Sequence, residues 1–429
     1  MTKTIQPGKV MGTVHANASK SAMQRACAAA LVAKGTTFIH NPGHSNDDKA
    51  ALEIIRNLGA EITTTDHHSI VITSKGVHPV APGIHCGESG LSIRMFTPIA
   101  ALANVSVEIS GEGSLASRPM DFFDEVLPLL GVEIRSNKGH LPMVVKGPLY
   151  PAAIEVDGSL SSQFLTGLLM AYAAADARDV SLTVTDLKSK PYIDLTLQLM
   201  QEFGLPVPEN RNYESFYFPS HAVAKENNDT RHYTVEGDWS GAAFLLVAGA
   251  IAGGEVHVNG IFHNSRQADK KIVDALLSAG AHIHVGDDFV SIRRSNLTGF
   301  NFDATDCPDL FPPLVALAAI CKGPTTIHGL KRLKHKESDR GATLKEEFDK
   351  LNVEVKLDGD IMTVMGTGRI KVMNHKLNSH HDHRIAMAVA VAALCADFEV
   401  EIRNADAVNK SYPDFWEHLS ILGATVQDL

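Results

Sequence analysis

Leu130-Gly131-Val132-Glu133-Ile134 is one of six copies of a single short signal. The others are Leu58-Gly59-Ala60-Glu61-Ile62, Phe203-Gly204-Leu205-Pro206-Val207, Ala279-Gly280-Ala281-His282-Ile283, Leu351-Asn352-Val353-Glu354-Val355 and Leu422-Gly423-Ala424-Thr425-Val426. Each joins the end of a helix to a strand through Gly, or once Asn, residues that tolerate the left-handed conformation with which helices end. Positions 59, 131, 204, 280, 352 and 423 lie 72, 73, 76, 72 and 71 residues apart. Spacing that regular marks an internal repeat.

After most of these turns comes an alternating, hairpin-like stretch, as in Ala281 to Val285 and Phe289 to Ile292 around Gly286-Asp287-Asp288. Between turns lies a more apolar helix feeding a strand, such as Phe164 to Ala175 before Val180 to Val184, or Ala386 to Ala396 before Phe398 to Ile402. Each repeat reads helix, strand, helix, hairpin, which predicts an α/β fold of two similar domains with three repeats each. The polar run Lys225-Glu226-Asn227-Asn228-Asp229-Thr230 separates the third repeat from the fourth, placing the N-terminal domain at 15–228 and the C-terminal domain at 229–429. The last repeat lacks its hairpin, so the opening strand in 1–14 is expected to join the C-terminal domain.

A chain of 429 residues, 44% hydrophobic, can bury more than one core. Its start lacks the apolar core of a signal peptide, and its most apolar stretch, Gly241 to Gly254, is too short to span a bilayer, so a soluble cytoplasmic protein is expected. Five scattered cysteines without C-x-x-C spacing suggest neither a disulfide framework nor a zinc site. A net charge of −10 argues against nucleic-acid and anionic-membrane partners. Any anion must therefore be held by local cations.

The starts of the apolar helices carry such cations. They read Ser19-Lys20-Ser21 with Arg25, Gly87-Glu88-Ser89-Gly90 with Arg94, Ser161-Ser162-Gln163, Asp238-Trp239-Ser240, Pro308-Asp309 and His381-Asp382-His383-Arg384. For one helix alone, Ser and Asp are simply N-caps. Capping does not explain Lys20, Arg25, Arg94 and Arg384, because the helix dipole disfavours positive charge in the first turn; a bound anion would reverse that penalty. Further clusters are Arg118-Pro119, Lys188-Ser189-Lys190-Pro191-Tyr192 and Lys334-His335-Lys336-Glu337-Ser338-Asp339-Arg340, where Lys336 and Arg340 stand at i,i+4 despite their like charge.

Taken in order, these motifs resemble those of the enolpyruvyl transferases, on the EPSP synthase side of that family. The carrying elements are Lys20-Ser21-(x)3-Arg25, Gly113-(x)4-Arg118-Pro119, Ser161-Ser162-Gln163-Phe164-Leu165, Ser189-Lys190-Pro191-Tyr192, Glu236-Gly237-Asp238-Trp239-Ser240, Lys336-Glu337-Ser338-Asp339-Arg340, Asp382-His383-Arg384-Ile385-Ala386-Met387-Ala388 and Lys410-(x)2-Pro413-Asp414. The resemblance implies the enolpyruvyl transferase fold, an inside-out α/β barrel of two similar domains. It also implies transfer of the carboxyvinyl group of phosphoenolpyruvate to the 5-hydroxyl of shikimate 3-phosphate, with release of phosphate through a tetrahedral intermediate, by a monomer needing no cofactor and no metal.

Such chemistry needs a base for the hydroxyl, an acid for the methylene carbon and cations for carboxylate and phosphate. By resemblance, Asp309 is the base, and Glu337 with Lys20 handles the methylene proton. Shikimate 3-phosphate falls to Lys20, Ser21, Arg25, Ser161, Ser162, Gln163, Ser189, Tyr192, Asp309 and Lys336. Phosphoenolpyruvate falls to Lys20, Gly90, Arg118, Gln163, Arg340, His383, Arg384 and Lys410. The chain departs from the family at Asn17-Ala18-Ser19-Lys20-Ser21 and at Glu88-Ser89-Gly90-Leu91-Ser92-Ile93-Arg94-Met95, and a carboxylate at Glu88 beside an anion calls for neutralisation.

The sister activity, transfer to UDP-N-acetylglucosamine, usually carries a reactive Cys where this chain has Gly113. A non-catalytic binder of phosphorylated metabolites would be expected to lack Asp309, Glu337 or a substrate arginine. The Rossmann-like Gly111-Glu112-Gly113-Ser114-Leu115-Ala116 is cut short by Arg118-Pro119. The histidines of Asn378-Ser379-His380-His381-Asp382-His383 lack helical i,i+4 metal-ligand spacing.

Overall fold

The computed structural model describes residues 1–66, 69–220, 230–334 and 336–429; His335 and positions 225–229 of the polar run lie outside them. All six turn positions have positive φ: Gly59 104°, Gly131 77°, Gly204 72°, Gly280 89°, Asn352 55° and Gly423 97°. Left-handed backbone there lets each helix stop and the chain reverse into its hairpin.

Among the described residues the strands form six four-stranded sheets of one topology. In each, two neighbouring strands run parallel and the remaining pairs antiparallel. In one example Ile154–Asp157 pairs parallel with Val180–Thr185, which pairs antiparallel with Ser215–Phe218, itself paired with Glu209–Arg211. The expected hairpin is present as His282–Val285 and Phe289–Arg293, in register His282↔Arg293.

Three sheets borrow a strand from far along the chain, one of them through Val10–His15, which pairs parallel with Gly253–Asn259. Thr2–Ile5 lies between Val400–Arg403 and Val426–Asp428, so the N-terminal segment supplies the strand missing from the last repeat. Thr230–Thr234 pairs parallel with Gly35–His40 and completes the sheet of the first repeat. Each set of three repeats is thereby closed by sequence from outside it.

The chain divides into two compact units, Lys20–Val235 and Met1–Ser19 with Glu236–Leu429. These crossings differ from those expected at 14/15 and 228/229, for a local reason. Residues 15–19 stay with the second unit through the Ser19 N–H to Glu236 carbonyl bond and the Ala18–Gly237 bridge, whereas strand pairing holds 230–234 in the first.

In the Lys20–Val235 unit, the helices Lys20–Ala33, Gly90–Ala100 and Ser162–Ala174 pack against one another and are buried along most of their length. Gly167 permits the close approach, since a Cβ there would lie 2.7 Å from the Arg94 and Met95 carbonyls. The other unit repeats the arrangement with Trp239–Ala252, Phe311–Ile320 and His383–Ala393. Helices apolar all round are expected only where neighbours cover every face. Their N-terminal ends carry the polar residues considered next.

Candidate active site

In the Lys20–Val235 unit, the cap role and the cationic role coexist. Ser89 and Ser161 cap their helices by accepting from the Ser92 and Gln163 N–H groups. Beside those caps Arg94 Nη1 donates to Gln163 Oε1 at 2.9 Å, and Arg118 Nη2 to Ser114 Oγ at 3.2 Å. A Cβ on Gly90 would stand 2.6 Å from Arg118 Nη1 and 3.3 Å from Arg94 Nη1, so the absent side chain is what seats both guanidiniums. Gly90, Arg118 and Gln163 are thus together, with Arg94 as an added member. Glu88 Oε2 accepts from the Ser114 N–H at 3.3 Å.

Lys20 opens its helix and pairs with Asp47 at 2.8 Å. Asp47 was not foreseen, although Ser45-Asn46-Asp47-Asp48 has the form of a capping box, and that box is observed at the start of the Asn46–Asn57 helix. Burial drives the neighbouring Asp48 up to about 6, with Asp47 adding to the rise. Arg25, next to Ser21, is buried. It donates to Thr196 Oγ1 and to the Ser21 carbonyl, both at 2.9 Å, and lies 5.7 Å from the Tyr192 ring centre. Ser162 is buried, and Ser189 holds φ 57° at the start of Lys190–Glu202, where its carbonyl accepts from the Tyr192 N–H.

The other unit builds an ion cluster. Asp309, on the turn Pro308–Leu310, receives Arg340 Nη1 at 2.8 Å, Arg384 Nη2 at 3.1 Å and Lys336 Nζ at 3.2 Å. Burial pushes its carboxyl upward, but Arg384, Lys336 and Arg340 outweigh that and hold it well below the usual carboxylate range. Arg340 also meets Glu337 at 2.5 Å and Asp382 at 2.8 Å. Asp382 caps the His383–Ala393 helix, His383 is buried, and Lys410 donates to the His381 carbonyl at 2.7 Å. Two of the four predicted cations at helix starts therefore have carboxylate neighbours of their own, Asp47 for Lys20 and Asp309 for Arg384. Those acids offset the dipole penalty with no ligand bound.

Asp269, another residue the sequence did not single out, is fully buried and accepts from Ser240 Oγ. Burial and then Asp309 raise its pKa to about 6. A carboxyl with a raised folded pKa contributes stability below its unfolded value of 3.8, and that contribution is lost as pH rises through about 6. Asp269→Asn should therefore gain up to about 3 kcal/mol at pH 8 and nothing at pH 3.5. Denaturant unfolding at both pH values checks the sign.

The family model described as EPSP synthase (3-phosphoshikimate 1-carboxyvinyltransferase) matches residues 5–419. The chain belongs to the EPSP synthase family. Among its relatives, 3-phosphoshikimate 1-carboxyvinyltransferase of Clostridium novyi is 34% identical, with 99% of this chain and 98% of that protein covered. The Halobacterium salinarum protein of the same name is 36% identical, with 99% of each covered. In fold, EPSP synthase from Acinetobacter baumannii superposes with a TM-score of 0.80 at 24% identity over the whole of both chains. The enolpyruvyl transferase NikO from Streptomyces tendae gives 0.76 at 17%, covering 99% of this chain and 98% of its own.

Like its family, the chain is an enzyme of the enolpyruvyl transferase fold. It transfers the carboxyvinyl group of phosphoenolpyruvate to shikimate 3-phosphate in aromatic amino acid biosynthesis. Among the described residues, no helix is long and apolar enough to cross a membrane.

Proposed function

We propose that Asp309 is the base that takes the 5-hydroxyl proton and that Glu337, with Lys20, delivers a proton to the methylene carbon. Lys20, Ser21, Arg25, Ser161, Ser162, Gln163, Ser189, Tyr192, Asp309 and Lys336 hold shikimate 3-phosphate; Lys20, Gly90, Arg118, Gln163, Arg340, His383, Arg384 and Lys410 hold phosphoenolpyruvate. The observation that carries this reading is the convergence of Lys336, Arg340 and Arg384 on the single carboxylate of Asp309.

A base held far below neutral pH is a weak one. Arg340 and Arg384, once committed to a substrate carboxylate or phosphate, share less of their charge with Asp309, whose basicity then rises. The same commitment loosens Arg340 from Glu337 and lets Glu337 carry the proton it must donate. Both steps are switched on by the substrate itself, since Arg geometry suits bidentate contact with carboxylate and phosphate.

The sister transfer to UDP-N-acetylglucosamine fits less well. Gly113 has φ 57°, and a Cβ there would lie 2.2 Å from Glu88 Oε2, so a reactive Cys could not take its place without moving Glu88. We take the two units as two domains and the active form as a cytoplasmic monomer. The test is phosphate release from phosphoenolpyruvate with and without shikimate 3-phosphate: release should require the second substrate. Release without it, or with UDP-N-acetylglucosamine instead, would sink the reading, and no release at all would favour the non-catalytic binder.

A further inference from the structure

The segment Asn378 to Asp382, which leads into the His383–Ala393 helix, has an improbable backbone. His380 and His381 are consecutive and both left-handed, with φ 52° and 58°. Left-handed backbone is uncommon for any residue but Gly, even for Asn, Asp and His, which tolerate it best, and two in a row persist only where their surroundings hold them. Part of the hold is local. The Asp382 N–H donates to the Ser379 carbonyl, the His380 N–H to Asn378 Oδ1 and the His381 N–H to Ser379 Oγ.

Arg403 and Asn404 hold the start of the segment, through the Ser379 N–H to Arg403 carbonyl bond, the Ser379 Oγ to Asn404 carbonyl bond and the Asn404 amide to Asn378 Oδ1 bond, and a further hold comes from one helix, Arg340–Asp349. Its first residue, Arg340, grips Asp382 with Nε 2.8 Å from Oδ2. Seven residues on, two turns later on the same face, stands Glu347, whose side chain is 0% exposed. Its Oε2 accepts from the Asn378 N–H at 3.0 Å, while Oε1 meets His380 Nε2 and Lys350 Nζ, each at 2.7 Å. One face of one helix thus clamps both ends of the left-handed pair. Glu346, Glu347 and His380 are close enough together for a divalent cation, but the Lys350 ammonium already lies 2.7 Å from Glu347 and 3.4 Å from Glu346. The charge this carboxylate answers to is lysine's.

What the clamp fixes matters for substrate. The carbonyl of His381, inside the left-handed pair, accepts from Lys410 Nζ at 2.7 Å. A change in the His380–His381 backbone would turn that carbonyl and carry the ammonium with it. We propose that Glu347 is a positioning residue for phosphoenolpyruvate binding, acting through the His380–His381 backbone to set the Lys410 ammonium.

The proposal rests on the reading that Lys410 meets phosphoenolpyruvate, and the experiment separates the two. Initial rates and thermal unfolding are measured for the full chain as Glu347→Gln, Lys410→Met, the double variant and His380→Asn, which loses the ring contact but keeps a residue tolerant of left-handed backbone. Glu347→Gln should raise KM for phosphoenolpyruvate about tenfold, leaving kcat and KM for shikimate 3-phosphate within about threefold. The double variant should be no worse than Lys410→Met alone, because two residues acting through one ammonium are not additive. His380→Asn should give a smaller change of the same kind, and carries the test if Glu347→Gln does not fold. Additive effects, or equal rises in both KM values, would overturn the proposal. No rise in KM for Lys410→Met sinks the role of Lys410 and the proposal with it, whereas a rise there with none in Glu347→Gln and His380→Asn sinks the proposal alone.

Discussion

Asp309→Asn is expected to lower kcat by about 10²–10⁴-fold, the range for loss of a positioned general base, as measured by phosphate release at saturating concentrations of both substrates. The amide keeps the shape of the side chain and removes both the proton acceptor and the negative charge. Lys336, Arg340 and Arg384 all contact that charge, so the substitution also leaves their positive charge less neutralised. Anionic substrates should then bind more tightly. The expected signature is a fall in kcat together with an unchanged or lowered KM for phosphoenolpyruvate, which sets the loss of a base apart from the loss of a binding contact. A fall in kcat of less than tenfold would remove Asp309 from the base role.

The proportion of this architecture that could be read from the sequence follows the range of the interactions involved. Gly59, Gly131, Gly204, Gly280, Asn352 and Gly423 announce themselves because stopping a helix is a local matter, and all six have positive φ. The missing strand of the last repeat could be inferred because the repeat count demanded one. Thr230–Thr234 could not, since its role depends on pairing with Gly35–His40, nearly two hundred residues away in sequence. The helix-start cations were legible as an anomaly against the helix dipole, but not their nearest partners. Asp47 lies 27 residues from Lys20, and Asp309 lies 75 from Arg384. No spacing rule links such pairs; the first is made by the packing of two helices within one repeat, the second by the stacking of the fifth repeat on the sixth. Asp269 and Glu347 were missed for a like reason, since what buries and holds them lies far along the chain, Ser240 for Asp269 and Asn378 with His380 for Glu347.

The mutual placement of charges also means that the cations of the cluster have acidic partners before substrates arrive. Lys336, Arg340 and Arg384 face Asp309, Glu337 and Asp382. Buried charges of one sign would shed protons or destabilise the fold, whereas paired ones persist at the cost of desolvation. In this arrangement substrate anions compete for cations that already have partners. What the cluster provides is fixed geometry, with much of the reorganisation completed at folding.

Asp382 tests that argument most directly. Its side chain is 0% exposed, and it holds Arg340 Nε at 2.8 Å and Nη2 at 3.2 Å, Ser338 Oγ at 3.0 Å and the Arg384 N–H at 3.0 Å. Asp382→Ala removes a buried ion-pair partner and a helix cap together and is expected to destabilise its unit by about 3–5 kcal/mol. Asp382→Asn, which can still cap, should lose less. Most of the cost arises because Arg340, 1% exposed, is left with an uncompensated share of charge. The double variant Arg340→Met with Asp382→Ala should therefore recover much of the stability lost by Asp382→Ala alone while remaining inactive. Thermal unfolding of Asp382→Ala, Asp382→Asn, Arg340→Met and the double variant, followed alongside phosphate release, tests both halves of the expectation. If the double variant is as unstable as the sum of its single changes, the pair serves stability; recovery of stability without activity shows that it serves the placement of Arg340.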